Sequence, residues 1–126
     1  MNRDLVLGNI KALIGIAMAD GRLDDNERNL ILQIADKSGI SAEEVQYINE
    51  NMDIVDWKPA DNRDDKIQQL REMVWVMCSD GEIDENEEAL CRVLALGLGF
   101  DPEAVDVLIA ELLVNFKVWI DQQALS

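Results

Sequence analysis

Histidine is absent from the 126 residues, and cysteine and proline occur twice each. Without imidazole, the commonest general base and the commonest transition-metal ligand are both missing. Cys78 and Cys91 match no zinc or redox spacing and sit inside apolar helical patterns. They read as free buried thiols of a chain kept in a reducing, cytoplasmic compartment. Basic residues are scarce, with 11 Lys and Arg against 26 Asp and Glu, for a net charge of −15 and a pI near 4.1. Such a balance repels phosphate backbones and excludes nucleic-acid binding and polybasic adsorption to anionic lipid. It favours cations, basic proteins or simple solubility. No apolar run approaches the length of a membrane-spanning helix.

What remains is 48% hydrophobic and 29% charged, the balance of a folded chain. The length suits one domain over residues 1–126, long enough to bury roughly two-thirds of its unfolded surface. The apolar stretch from Leu5 ends in Ala17-Met18-Ala19, which mimics a leader cleavage site. Asn9 and Lys11 interrupt it and it has a partner later in the chain, so it reads as a core helix.

That partner belongs to an internal repeat. Ala19-Asp20-Gly21-Arg22-Leu23-Asp24-Asp25-Asn26-Glu27 returns as Ser79-Asp80-Gly81-Glu82-Ile83-Asp84-Glu85-Asn86-Glu87 with no gap. The register holds on both sides: Leu7, Ile10, Leu13 and Ile14 face Ile67, Leu70, Met73 and Val74. Leu30, Ala35, Gly39, Glu43 and Val45 face Leu90, Ala95, Gly99, Glu103 and Val105. Helical spacing of the apolar residues and the lack of any strand run predict an all-α bundle. Two pseudo-two-fold-related three-helix units, 4–51 and 64–111, are expected.

In each unit a first helix ends at the Asp-Gly, about Ala19 or Ser79. Leu23 or Ile83 plugs back into the core. Asp24 or Asp84 caps the next helix, with Glu27 or Glu87 as the N3 half of a capping box. Leu30, Ile31, Ile34 and Ala35 face inward from the second helix, and Leu90, Val93 and Leu94 from the fifth. Ser41 with Glu44 opens a short third helix carrying Val45, Tyr47 and Ile48. Residues 52–62 have no period and form the connection. Asp101-Pro102 starts the sixth helix, with the proline at N1. This helix runs to about residue 124, past the end of the repeat. Phe116, Trp119 and Ile120 extend its apolar face, which either closes the bundle or meets a second copy.

Capping accounts for Asp24, Glu27, Asp84 and Glu87 without a ligand, at roughly 1 kcal/mol per box. It accounts less well for Asp20 and Asp80, which lie where the macrodipole disfavours an anion. The second copy is denser still, with Asp80, Glu82, Asp84, Glu85, Glu87 and Glu88 inside nine residues. A hard divalent cation is the alternative. With the glycine at the sixth place of an EF-hand loop, Asp20 takes the fifth, Leu23 the eighth, Asp24 the ninth and Glu27 the twelfth. Asp80, Ile83, Asp84 and Glu87 align identically. The first and third places, however, hold Ile16 and Met18, or Val76 and Cys78. An ordinary EF-hand is therefore excluded, and a site requires the two loops to meet or water to complete the coordination sphere.

The Ala-Asp-Gly or Ser-Asp-Gly helix end, the apolar residue after it and the acidic helix start, repeated at fixed spacing, resemble the TerB-like family. That family is named for a bacterial tellurite-resistance protein. The resemblance covers about Asp4 to Ala110. It implies an all-helical domain with two pseudo-symmetric units, an acidic surface proposed to hold divalent cations, and a role in membrane-associated stress or metal-response complexes. Carried onto this chain, the candidate ligands are Asp20, Asp24, Glu27, Asp80, Asp84 and Glu87.

The leading expectation is a non-catalytic interaction or scaffold domain that presents carboxylates to calcium, magnesium or manganese, to a basic partner, or to both. Glu82, Glu85 and Glu88 are the candidate partner contacts. One alternative is a metal-assisted hydrolase using the loop carboxylates. Against it stand the missing histidine, the missing nucleophile–base pair and the missing phosphate loop. The other is a purely structural, self-associating helical protein; the chain is expected to be a monomer or a homodimer through its last helix.

Overall fold

A computed structural model describes residues 2–125 apart from Arg22 and Asp80, with the side chains of 115–126 left out. The candidate ligand Asp80 and the last-helix cluster Phe116, Trp119 and Ile120 therefore lie outside the described residues. Six helices follow in order: α1 (Arg3–Ala17), α2 (Asp25–Lys37), α3 (Ala42–Glu50), α4 (Arg63–Met77), α5 (Glu85–Gly97) and α6 (Ala104–Leu125). No strand occurs among the described residues, so the chain is all-α.

Short polar side chains start these helices where backbone amides would otherwise go unpaired. Asn2 Oδ1 accepts from Leu5 N, Asp24 Oδ1 from Glu27 N, and Asn62 Oδ1 from Asp65 N, at 2.8–2.9 Å. Asp84 Oδ1 accepts from both Asn86 N and Glu87 N. The full reciprocal box forms at Ser41 and Glu44. Gly21 and Gly81 adopt φ of 97° and 85° in the turns that follow α1 and α4, a conformation other residues take at a cost. The α1 and α4 helices stop two residues earlier than the apolar pattern suggests. The α6 helix begins at Ala104 because the preceding turn bonds Ala104 N to Asp101 O and Val105 N to Pro102 O. Pro102 thus sits in a tighter turn ahead of the helix instead of at N1.

The α1 and α4 helices form the central pair. Both pack on α2 and α5 as well, with α3 against α1 and α2, and α6 against α4 and α5. Their shared core holds Ile10, Leu13, Ile14, Ile16 and Ala17 from α1 and Leu70, Met73, Val74, Val76 and Met77 from α4. Three residues expected inside lie outside. Tyr47 and Val93 are exposed, because α3 and α5 turn Ile48, Cys91 and Ala95 inward instead. Ile83 is also exposed, whereas Leu23 packs against the core as expected. In α6, Val105 is buried and Leu108 and Ile109 pack on the core, but Val107, Leu113 and Val114 face outward.

The aperiodic connection is pinned by contacts that sequence spacing does not show. Buried Gln69 donates to Asn9 Oδ1 and Lys58 O and accepts from Ala60 N. Lys11 Nζ donates to Val55 O. Trp57 lies across Gly97, and the backbone of Asp56 and Trp57 rests directly on Gly8.

This close approach reverses the usual effect of replacing a helical glycine. A Cβ on Gly8 would stand 2.3 Å from Asp56 O, backbone that has no room to yield, while one on Gly15 meets nothing within 4 Å. Gly8→Ala is expected to destabilise the fold by roughly 1–3 kcal/mol in urea unfolding. Gly15→Ala is expected to stabilise it by roughly 0.5–1 kcal/mol. Equal effects of one sign would show that the connection does not rest on α1.

Candidate functional site

The two repeated motifs converge. Asp20, in the turn after α1, Glu27, in the first turn of α2, and Glu87, in the first turn of α5, each place one carboxylate oxygen within 4.8 Å of the other two. Asp20 is exposed, but Glu27 and Glu87 are 2% and 3% exposed. Glu27 Oε2 and Glu87 Oε1 are buried without a hydrogen-bond partner. Among the described residues, ion pairs join Arg3 to Glu44, Arg71 to Glu111, and Arg92 to Glu88 and Asp106. None of them reaches Glu27 or Glu87.

Burial is the first cause of the electrostatics here. It raises both glutamates above the ordinary carboxylate range, and the opposing carboxylate pushes Glu87 up to about 9. Each carboxyl faces the other, so the pair holds a shared proton more tightly than an ordinary carboxylate does.

The other candidate residues have separate roles. Asp24 and Asp84 spend Oδ1 on helix caps rather than in the cluster. Glu82 and Glu85 are exposed on the second loop. Glu88 accepts a 2.6 Å bond from Arg92, which also reaches Asp106 and Pro102 O, so it serves the joint between α5 and α6. Ile16 and Val76, which occupy the first EF-hand place, are wholly buried. Sequence reasoning grouped the six acids by loop but missed that the N3 glutamates are the ones that turn inward. The signal was available: Glu27 and Glu87 share the helical face of Ile31 and Ile34, or of Cys91 and Leu94.

Two grooves, of about 340 and 140 Å³, are lined by none of the loop carboxylates, although Leu23, Arg28 and Ile31 set the smaller one beside the start of α2. The larger contains Glu72, whose carboxyl is raised by burial, beside Gln33, Lys37 and Trp75. Both cysteines are free, and burial pushes the Cys91 thiol up to about 12, which makes it a poor nucleophile. Among the described residues no helix is long and apolar enough to cross a membrane.

Residues 5–64 match a family described as a protein of unknown function, DUF533. The match spans α1, α2, α3 and the connection that follows them. No curated protein and no solved structure matches the chain.

A raised carboxyl pKa ties stability to pH. The native pair binds more protons than the unfolded chain between about 4.5 and about 9. The stability it contributes is complete below 4.5 and is lost as pH rises through that window. In chelator, the melting temperature is expected to fall from pH 5 to pH 9, by roughly 3–5 °C per kcal/mol lost. Glu87→Gln should flatten most of the fall, leaving the parts due to the burial of Glu27 and Glu72. A wild-type profile parallel to that of the variant would show that the glutamates are not paired.

Proposed function

We propose that this chain is a non-catalytic, TerB-like interaction domain whose two acidic loops together hold one divalent cation through Asp20, Glu27 and Glu87. The observation that carries this reading is the pair of buried carboxylate oxygens, Glu27 Oε2 and Glu87 Oε1, that lack partners beside Asp20. A buried anion without a counter-charge costs several kcal/mol. The match to DUF533 over the first three helices supports the TerB-like assignment. So does the recurrence of the capped Asp-x-x-Glu helix start.

The donor set selects the ion by chemistry. All three donors are carboxylate oxygens, which suit magnesium, manganese and calcium rather than softer metals. Three single oxygens leave about half of a six-coordinate shell to water, as magnesium and manganese accept, and fall short of the 6–8 ligands calcium takes. The exposed carboxylates Glu82 and Glu85 would then face a basic partner protein, in a stress or metal-response setting like that of the TerB-like family. Catalysis is disfavoured because the carboxylates line neither groove and no activated nucleophile accompanies them.

Isothermal titration of chelator-stripped protein in about 0.1 M salt tests the reading, since that salt screens diffuse attraction to the net charge. One saturable site is expected for manganese and magnesium, with calcium weaker. Asp20→Asn and Glu87→Gln should each weaken it about tenfold or more, roughly 1.4 kcal/mol. Asp25→Asn, at an exposed acid outside the cluster, should leave it unchanged. Heats of dilution alone for all three ions would reduce the motifs to helix caps.

A further inference from the structure

We infer that the cation site is the joint between α2 and α5, so that its occupancy sets how firmly the starts of those two helices are held to each other. This rests on the cation-binding reading above and adds a mechanical role to it. The three carboxylates come from three separate elements: the turn after α1, the start of α2 and the start of α5. The α2 and α5 helices are each packed on α1 and α4, but no Cα of one lies within 8 Å of a Cα of the other. Long side chains must therefore cross between them, and Glu27 and Glu87 do so as two acids.

Like charges are a poor bridge. Without an ion, the crossing is made by two buried carboxyl groups, each with an oxygen that has no partner. A cation that takes one oxygen from each converts a repulsive crossing into a shared attraction. Asp20 completes the tie, because it belongs to the turn that leads from α1 into α2. The ion would thus hold the α2 start, the α5 start and the Asp20 turn as one unit, though they lie far apart in sequence.

Such a joint has a signature that ordinary ligand stabilisation lacks. Binding to the native state alone slows global opening everywhere. A joint also suppresses local openings at the elements it ties, and removing the ligand on one helix releases the other. Hydrogen–deuterium exchange with mass spectrometry on the full chain, stripped and then saturated with magnesium, reads both effects. Peptides covering the first turns of α2 and α5 are expected to slow together, about tenfold more than α3, which supplies no ligand. Glu87→Gln should abolish the magnesium-dependent slowing in α2, and Glu27→Gln that in α5.

Asp20→Asn provides a second variant at an exposed position, which leaves the buried pair intact. It should reduce the slowing in both helices at once. Calorimetric binding with exchange that slows uniformly, or only on the helix that keeps its glutamate, would overturn the joint while leaving the cation site standing. No calorimetric binding to the wild type would overturn the site and the joint together.

Discussion

The packing of α1 against α4 governs everything else in the molecule. Ile16, Ala17, Val74 and Val76 are completely buried in the last turns of these helices, and Met73 and Met77 are nearly so. Each large side chain withdrawn from water there contributes roughly 1.5–3 kcal/mol, so the two ends cannot drift apart. Both helices must then stop and reverse, which Gly21 and Gly81 permit with positive φ. Because the reversals occur beside a shared core, the next two helices start near one another. The meeting of Glu27 with Glu87 follows from the position of those starts, since each is the third residue of its helix.

That meeting sets terms of very different size against each other. A helix N-terminus favours an anion by roughly 0.3–1 kcal/mol, and both glutamates occupy such a position. Removing a carboxylate from water in a protein interior costs several kcal/mol even after relaxation. Desolvation wins, so two bare carboxylates at this depth are not a stable arrangement. The raised pKa values express the same conclusion: the chain takes up a proton unless something else supplies positive charge. Among the described residues no ion pair reaches either glutamate. Arg92 is committed to Glu88 and Asp106, Arg71 to Glu111, and Arg3 to Glu44. Removing Glu87's carboxylate therefore removes a liability of the ion-free fold and a feature of the proposed site together.

The all-helical architecture was legible because its signals are local. Apolar spacing marked α1, α2, α4 and α5, and Asp24, Ser41 and Asp84 marked helix starts that all formed. The misplacements have a common cause. Val93, Tyr47 and Ile83 are apolar at plausible positions, but which face of a helix is buried depends on its neighbours, which periodicity cannot name. The connection was opaque for the same reason. Its order comes from Gln69, Lys11 and Gly8, residues that look unremarkable within helices until the backbone of 55–60 is laid across them. At the site, spacing named Asp20, Glu27 and Glu87 among six acids but grouped them by loop. The physical grouping is across loops, with Asp24 and Asp84 left to cap and Glu88 diverted to Arg92.

The two copies of the motif are nearly identical in sequence, yet their environments are not. Leu23 packs inward where Ile83 is exposed. Two acids sharing one buried space cannot both ionise without a large cost, so the pair shares a proton unless another positive charge takes its place. Neither loop alone offers enough oxygens for a hard cation, since the first and third EF-hand places are apolar in both. In the proposed site the two copies of the motif therefore serve one cation together. Each copy contributes a buried carboxylate that it could not satisfy on its own, and Asp20 from the first copy closes the group toward solvent.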